Sequence, residues 1–122
     1  MQTKEKNLIV ELTFDFALKV IKYAEVLEKE PKYIIEKQLL RSGTSIGANV
    51  REAQNAESKA DFIHKMKIAA KEADETIYWL LLCKKAENYP AFNSLIDDAE
   101  SILRVLSKII ASSKNTIINF DK

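Results

Sequence analysis

The scarcity of glycine and proline is the feature that most limits how this chain can fold. The sequence has 2 Gly and 2 Pro in 122 residues, whereas average usage predicts about eight and about six. The turns of a β-sheet protein depend on these residues, because they supply the backbone angles that tight turns require. The shortage nearly excludes an all-β fold and predicts an all-α protein with few connections.

Composition and charge narrow the class of protein further. The chain is 47% hydrophobic and 30% charged, which is typical of a single globular domain spanning residues 1–122. Its net charge of +1 creates no overall field that would attract nucleic acid or acidic substrates. No apolar run is long enough to cross a bilayer, and the N-terminal residues lack the apolar region of a secretion signal. We therefore expect a cytoplasmic protein with no membrane partner.

Hydrophobic periodicity predicts four helices, at about residues 13–28, 33–55, 59–88 and 90–113, with a frayed tail over residues 114–122. Thr13 is the predicted N-cap of the first helix. Ser58, followed three residues later by Asp61, resembles a capping box at the start of the third. Pro90 suits the first position of the fourth. Short connections between such helices predict an antiparallel up-down-up-down bundle.

The first helix is apolar on two sides. Phe14, Leu18 and Ile21 lie on one side, and an opposite stripe comprises Phe16, Val20, Tyr23 and Leu27. One bundle buries one stripe per helix, so we expect the second stripe to contact another subunit. Further interface candidates fall outside the predicted core seams; they are Leu40, Trp79 and Leu82. Surplus apolar surface on several helices predicts an oligomer.

Two glycines lie inside the second helix, although each costs about 1 kcal/mol relative to alanine there. Gly43 and Gly47 therefore indicate a close helix–helix approach or, alternatively, a kink.

A polar stripe runs along the second helix beside its apolar seam, and Glu75 of the third helix is a candidate acceptor for it. The stripe and this acceptor comprise Arg41, Ser42, Ser45, Asn49, Glu52 and Glu75. One interpretation is a hydrogen-bonded network that fixes the register between helices or lies at a subunit interface. The other is a ligand-binding groove. If the network interpretation is correct, Glu52→Ala leaves Arg41 or Asn49 without its partner and lowers the free energy of unfolding by about 1–3 kcal/mol.

Signals for catalysis and for metal binding are sparse. The chain has one histidine, so a metal site would have to combine Asp61 and His64 with Glu72 and Glu75. Di-metal sites in helical bundles need a second histidine. The single cysteine, Cys83, is expected to be a small buried hydrophobic residue. We therefore expect no enzyme, no cofactor and no metal, and an enzymatic or metal-binding bundle is the alternative.

Residues 40–53 of the second helix combine small and polar residues in a moderately specific pattern. The positions that define it are Arg41, Ser42, Ser45, Ile46, Asn49, Val50 and Glu52. This pattern resembles the signature of the bacterial 23S ribosomal RNA intervening-sequence protein family. Residues 14–18 also fit the family, as do the downstream positions Ser58, Phe62, Ile68, Ala69 and Glu75. The resemblance covers about residues 7–114, nearly the whole chain.

The resemblance implies a left-handed antiparallel four-helix bundle that assembles as a homopentameric ring, a non-enzymatic scaffold or adaptor. Some members are encoded inside intervening sequences of ribosomal RNA genes. A related branch serves the reverse transcriptase of diversity-generating retroelements as an accessory protein. The expected partners are therefore further copies of the chain, and RNA or a nucleic-acid enzyme. Candidate RNA contacts are Lys65, Lys67, Lys71, Lys84 and Lys85, and a solvated lysine face is the alternative interpretation.

Overall fold

A computed structural model of the protein describes the backbone of residues 4–121 and the side chains of residues 8–115. Its four helices are α1 (Lys4–Lys29), α2 (Tyr33–Ala53), α3 (Lys59–Lys85) and α4 (Leu95–Asp121). Helices α1 and α3 each pack against both α2 and α4. Short connections make sequential neighbours antiparallel. The predicted four-helix bundle is confirmed, and its left-handed twist stays a prediction.

The starts of α1 and α3 show one wrong capping prediction and one confirmed. Thr13 lies inside α1, and its hydroxyl donates a hydrogen bond to the Ile9 carbonyl at 2.8 Å instead of capping the helix. The helix begins at Lys4, and Ile9, one turn before Thr13, is buried in the core. Ser58 is the N-cap of α3, and its hydroxyl accepts from the Asp61 amide at 3.0 Å.

The connection between α3 and α4 is longer than predicted. Helix α3 ends at Lys85, and Asn88 has a φ of 62°, a left-handed conformation that cannot continue a helix. Pro90 does not begin α4, because its carbonyl accepts a hydrogen bond from the Tyr23 hydroxyl at 2.7 Å. The Phe92 ring packs edge-on against the same tyrosine, 5.2 Å between centroids. Residues 86–94 are thereby held against α1.

The C-terminal end of α4 also differs from expectation. The helix continues to Asp121 through the segment predicted to be a frayed tail. Lys122, the last residue of that predicted tail, lies outside the described residues.

The structure reverses the expected roles of the two apolar stripes of α1. The stripe predicted as a subunit interface is buried in the core of its own chain; it comprises Phe16, Val20, Tyr23 and Leu27. Phe14, Leu18 and Ile21 are instead 61%, 53% and 41% exposed. The physical reason is the position of α2, which approaches α1 on the side of Val20.

Glycine makes this approach possible. A β-carbon added to Gly43 would lie 2.8 and 2.9 Å from the two methyl groups of Val20. One added to Gly47 would lie 3.3 Å from the carbonyl oxygen of Thr13. The two glycines therefore mark the predicted close approach of two helices, with Gly43 leaving no room for any side chain.

We expect Gly43→Ala to lower the free energy of unfolding by about 1 kcal/mol. The overpacking cost of about 1–3 kcal/mol exceeds the gain in helix propensity of about 1 kcal/mol. The control is the double variant Gly43→Ala/Val20→Ala, in which the colliding methyl groups are absent. Denaturant titrations of both single variants and the double variant measure the coupling. Strictly additive losses would contradict the packing described here.

Candidate functional site

An ion-pair network on the surface joins α2 to α3. The Arg41 guanidinium lies 3.2 Å from a carboxylate oxygen of Glu72 and also pairs with Glu75. The indole N–H of Trp79 donates to the same Glu75 carboxylate at 2.9 Å. We call these four residues the Arg41 cluster. In this cluster Glu75 accepts from the polar stripe of α2, and so does Glu72, which lies one helical turn before Glu75.

A buried pair of hydroxyl groups lies between the same two helices. The side chains of Ser42 and Thr76 are fully buried and hydrogen-bonded to each other at 2.9 Å. The Thr76 hydroxyl is also 2.7 Å from the carbonyl oxygen of Glu72. Among the described residues, no buried side-chain nitrogen or oxygen lacks a hydrogen-bond partner. The pair satisfies its own polar groups and fixes the register of α2 against α3.

The rest of the polar stripe bonds within α2 or projects to solvent. Ser45 donates to the Arg41 carbonyl at 2.6 Å, and Asn49 donates to the Ser45 carbonyl at 2.8 Å. The Glu52 side chain is 61% exposed and lies 3.5 Å from the Lys65 ammonium group. The expectation that Glu52 holds Arg41 or Asn49 is therefore wrong, because Glu52 lies at the other end of the α2–α3 contact from the Arg41 cluster.

These contacts predict different costs for two substitutions. Thr76→Val keeps the shape of the side chain but removes a buried hydrogen bond, so we expect a loss of about 1–2 kcal/mol in the free energy of unfolding. Glu52→Ala removes only an exposed ion pair and should change stability by less than about 0.5 kcal/mol. Chemical denaturation of both variants measures the difference. Equal losses would contradict the expectation that the buried hydrogen bond of Thr76 contributes more to stability than the exposed ion pair of Glu52.

The residues of the alternative metal site do not meet. Asp61 sits in the first turn of α3, where its carboxylate accepts from the Glu57 amide at 3.2 Å. His64 is exposed, and Glu72 and Glu75 belong to the Arg41 cluster. Throughout the described residues, no three His, Cys, Asp or Glu side chains are grouped so that they could hold a metal ion.

The remaining interface candidates lie at the surface of the bundle to different degrees. Leu40 and Trp79 are partly buried and pack against the core. Leu82 is exposed. Two well exposed apolar side chains were not among the predicted interface residues, Ile34 at 83% and Tyr78 at 56% exposed. Their surplus apolar character is visible in the sequence, but their exposure depends on how α2 and α3 are rotated.

The candidate RNA-contacting lysines do not form one cluster. Lys65 pairs with Glu52, whereas Lys67, Lys71, Lys84 and Lys85 are exposed along α3. Lys67 is close to Lys114 of α4, and the hydrogen bond and charge of Lys67 lower the pKa of Lys114. Lys114 was not among the predicted lysines, because the packing of α3 against α4 brings it near Lys67.

Cys83 is buried, as predicted, and interacts with the buried Tyr23 side chain. Burial raises the pKa of the Cys83 thiol, and burial also raises the pKa of the Tyr23 hydroxyl. Both groups are therefore protonated at neutral pH. A thiol with a raised pKa is a weak nucleophile, so the arrangement is that of a structural cysteine.

The fold and these contacts define an antiparallel helical-bundle protein in which a polar network joins α2 to α3. Among the described residues, no helix combines the length and apolar character that crossing a bilayer requires. The family model described as "23S rRNA-intervening sequence protein" matches residues 5–108. The chain therefore belongs to this family.

A solved structure supports the same assignment. The crystal structure, at 1.70 Å resolution, of a protein with unknown function from the S23 ribosomal protein family of Bacteroides thetaiotaomicron is similar to this chain. The sequences are 42% identical, the match covers 88% of this chain and 98% of the other, and the TM-score is 0.83. No curated protein matches this sequence. Neither matching description names a catalytic activity.

Proposed function

We propose that the protein is a non-enzymatic helical scaffold or adaptor that assembles from copies of itself into a ring. The observation that carries this proposal is the number of large apolar side chains at the surface of one chain. The exposed set comprises Leu8, Phe14, Leu18, Ile21, Val26, Tyr33, Ile34, Tyr78, Leu81 and Leu82. Scattered apolar side chains are normal on a monomer, but grouped ones usually mark an interaction site.

The exposed set falls on different sides of the bundle. Phe14, Leu18 and Ile21 lie along the outer side of α1, whereas Tyr78 and Leu82 lie on α3, a helix that does not pack against α1. A two-fold dimer made through one of these faces would leave the other in water. A head-to-tail contact uses both faces of every copy and closes into a ring when the rotation between copies permits. The family resemblance gives five as the number of copies.

Light scattering of the purified protein tests self-association. We expect a mass of about 70 kDa, five times the 13.9 kDa of one chain, because burial of the exposed apolar faces favours the ring. Measurements over a hundredfold range of concentration show whether smaller species appear on dilution. A mass of one chain at every concentration would overturn the proposal.

RNA is the second candidate partner, and the observation that favours it is the proximity of Lys67 and Lys114. The neighbouring Lys67 lowers the pKa of Lys114, and a phosphate group in contact with both would favour their charged forms. The net charge of +1 is small, but a ring would present the pair in every copy and so add weak contacts together.

Titration of single-stranded RNA at two salt concentrations tests this candidate. We expect Lys67→Glu/Lys114→Glu to weaken binding at low salt on the order of tenfold or more, because phosphate contacts are lost. The matched control is Lys29→Glu/Lys37→Glu, which makes the same change in charge at exposed positions of α1 and α2. Equal effects of both variants, or no binding by the unmodified protein even at low salt, would exclude this RNA surface.

A further inference from the structure

The outer side of α1 carries a regular row of exposed side chains. We call this row the α1 stripe; it comprises Glu11, Phe14, Leu18, Ile21 and Glu25. Its members are alternately three and four residues apart, the spacing of a helix seam that packs against another helix. A carboxylate ends the stripe on each side, and the three positions between them are apolar.

Helix α3 carries a second row with the complementary charges. This α3 stripe comprises Lys71, Glu75, Tyr78, Leu82 and Lys85. All of its members are exposed except Glu75, which is partly buried in the Arg41 cluster. Here an ammonium group ends the stripe on each side. None of the four end residues forms an ion pair with another side chain of residues 8–115.

The two stripes match in length and in spacing. Glu11 and Glu25 are separated by the same number of positions as Lys71 and Lys85, a helical distance of about 21 Å in each case. With the helices antiparallel, the spacings coincide throughout. The facing pairs would be Glu11 with Lys85, Phe14 with Leu82, Leu18 with Tyr78, Ile21 with Glu75, and Glu25 with Lys71. Arg41 already holds the charge of Glu75.

We propose that the α1 stripe of one copy docks antiparallel on the α3 stripe of the next copy. This inference rests on the proposed self-association and specifies which surfaces form it. Every copy of the chain carries both complementary stripes, so the partner that binds each stripe is a second copy of the chain. The charges also disfavour contacts between like stripes. An antiparallel pair of α1 stripes would bring Glu11 against Glu25, and a pair of α3 stripes would bring Lys71 against Lys85.

Reversal of charge at the stripe ends tests the pairing. Glu25→Lys places two ammonium groups together in every interface, so we expect the concentration at which the oligomer half-dissociates to rise at least tenfold. Lys71→Glu should have the same effect. The double variant Glu25→Lys/Lys71→Glu restores opposite charges in every interface and should recover at least half of the loss. Glu100→Lys, at an exposed position of α4 outside both stripes, is the matched control.

The possible outcomes separate this inference from the proposed function. Analytical ultracentrifugation measures the dissociation of each variant, and circular dichroism checks that each remains helical. An oligomer that is insensitive to Glu25→Lys and Lys71→Glu overturns the stripe pairing but leaves self-association standing. Rescue of Glu25→Lys by Lys85→Glu instead of Lys71→Glu overturns the antiparallel orientation. An unmodified protein that is monomeric at all concentrations overturns both proposals.

Discussion

The contact between Val20 and Gly43 determines which side of α1 faces the core and which faces the solvent. The methyl groups of Val20 occupy the space in which any other residue at position 43 would place a β-carbon. This contact brings α2 against one flank of α1, and Lys19 reaches Asp98 of α4 at 2.9 Å on the other. With α2 and α4 packed against α1, Phe16 and Leu27 are at most 2% exposed. The remaining side of α1 is left in water with its apolar residues.

The two apolar stripes of α1 show how far sequence periodicity leads. Their spacing predicts the helix, and the surplus of apolar side chains predicts that one stripe is left over. Periodicity cannot decide which one, because both stripes are similarly large and apolar. The decisive residue, Gly43, lies on a different helix. Its unfavourable helix propensity indicated a close approach, but the sequence alone does not pair it with Val20 rather than with a residue of α3.

The polar contacts between α2 and α3 were predictable to a similar degree. Polar residues beside an apolar seam predict a network between helices with Glu75 as a candidate acceptor, and Glu75 pairs with Arg41. The role expected of Glu52 was wrong, because its exposed carboxylate lies beside Lys65 of α3 and not beside Arg41 or Asn49. The connection before α4 was missed for a related reason. Pro90 is compatible with a helix start, but its carbonyl oxygen accepts a hydrogen bond from the Tyr23 hydroxyl at 2.7 Å, a contact between residues far apart in the sequence.

The Arg41 cluster connects several side chains at the surface of α3 to one another and to α2. Glu75 is held by both Arg41 and the Trp79 indole, and the Trp79 ring packs against Tyr78 with 5.3 Å between centroids. In the proposed association, this contact would orient Tyr78 before the next copy arrives, so that less conformational entropy would be lost on docking. In the proposed association, this one network would hold α2 against α3 and would also orient the side chains that receive the next copy.

The near-neutral net charge takes on a different meaning when the positions of the charges are known. A value of +1 gives no reason to expect a strongly acidic or basic partner. Yet the apolar row on α1 ends in carboxylates, and the row on α3 ends in ammonium groups. In the proposed association, each copy would supply the counter-charges of the next, so the chain would need no net charge. Overall charge therefore describes this surface less well than the signs of the charges at the ends of the α1 stripe and the α3 stripe.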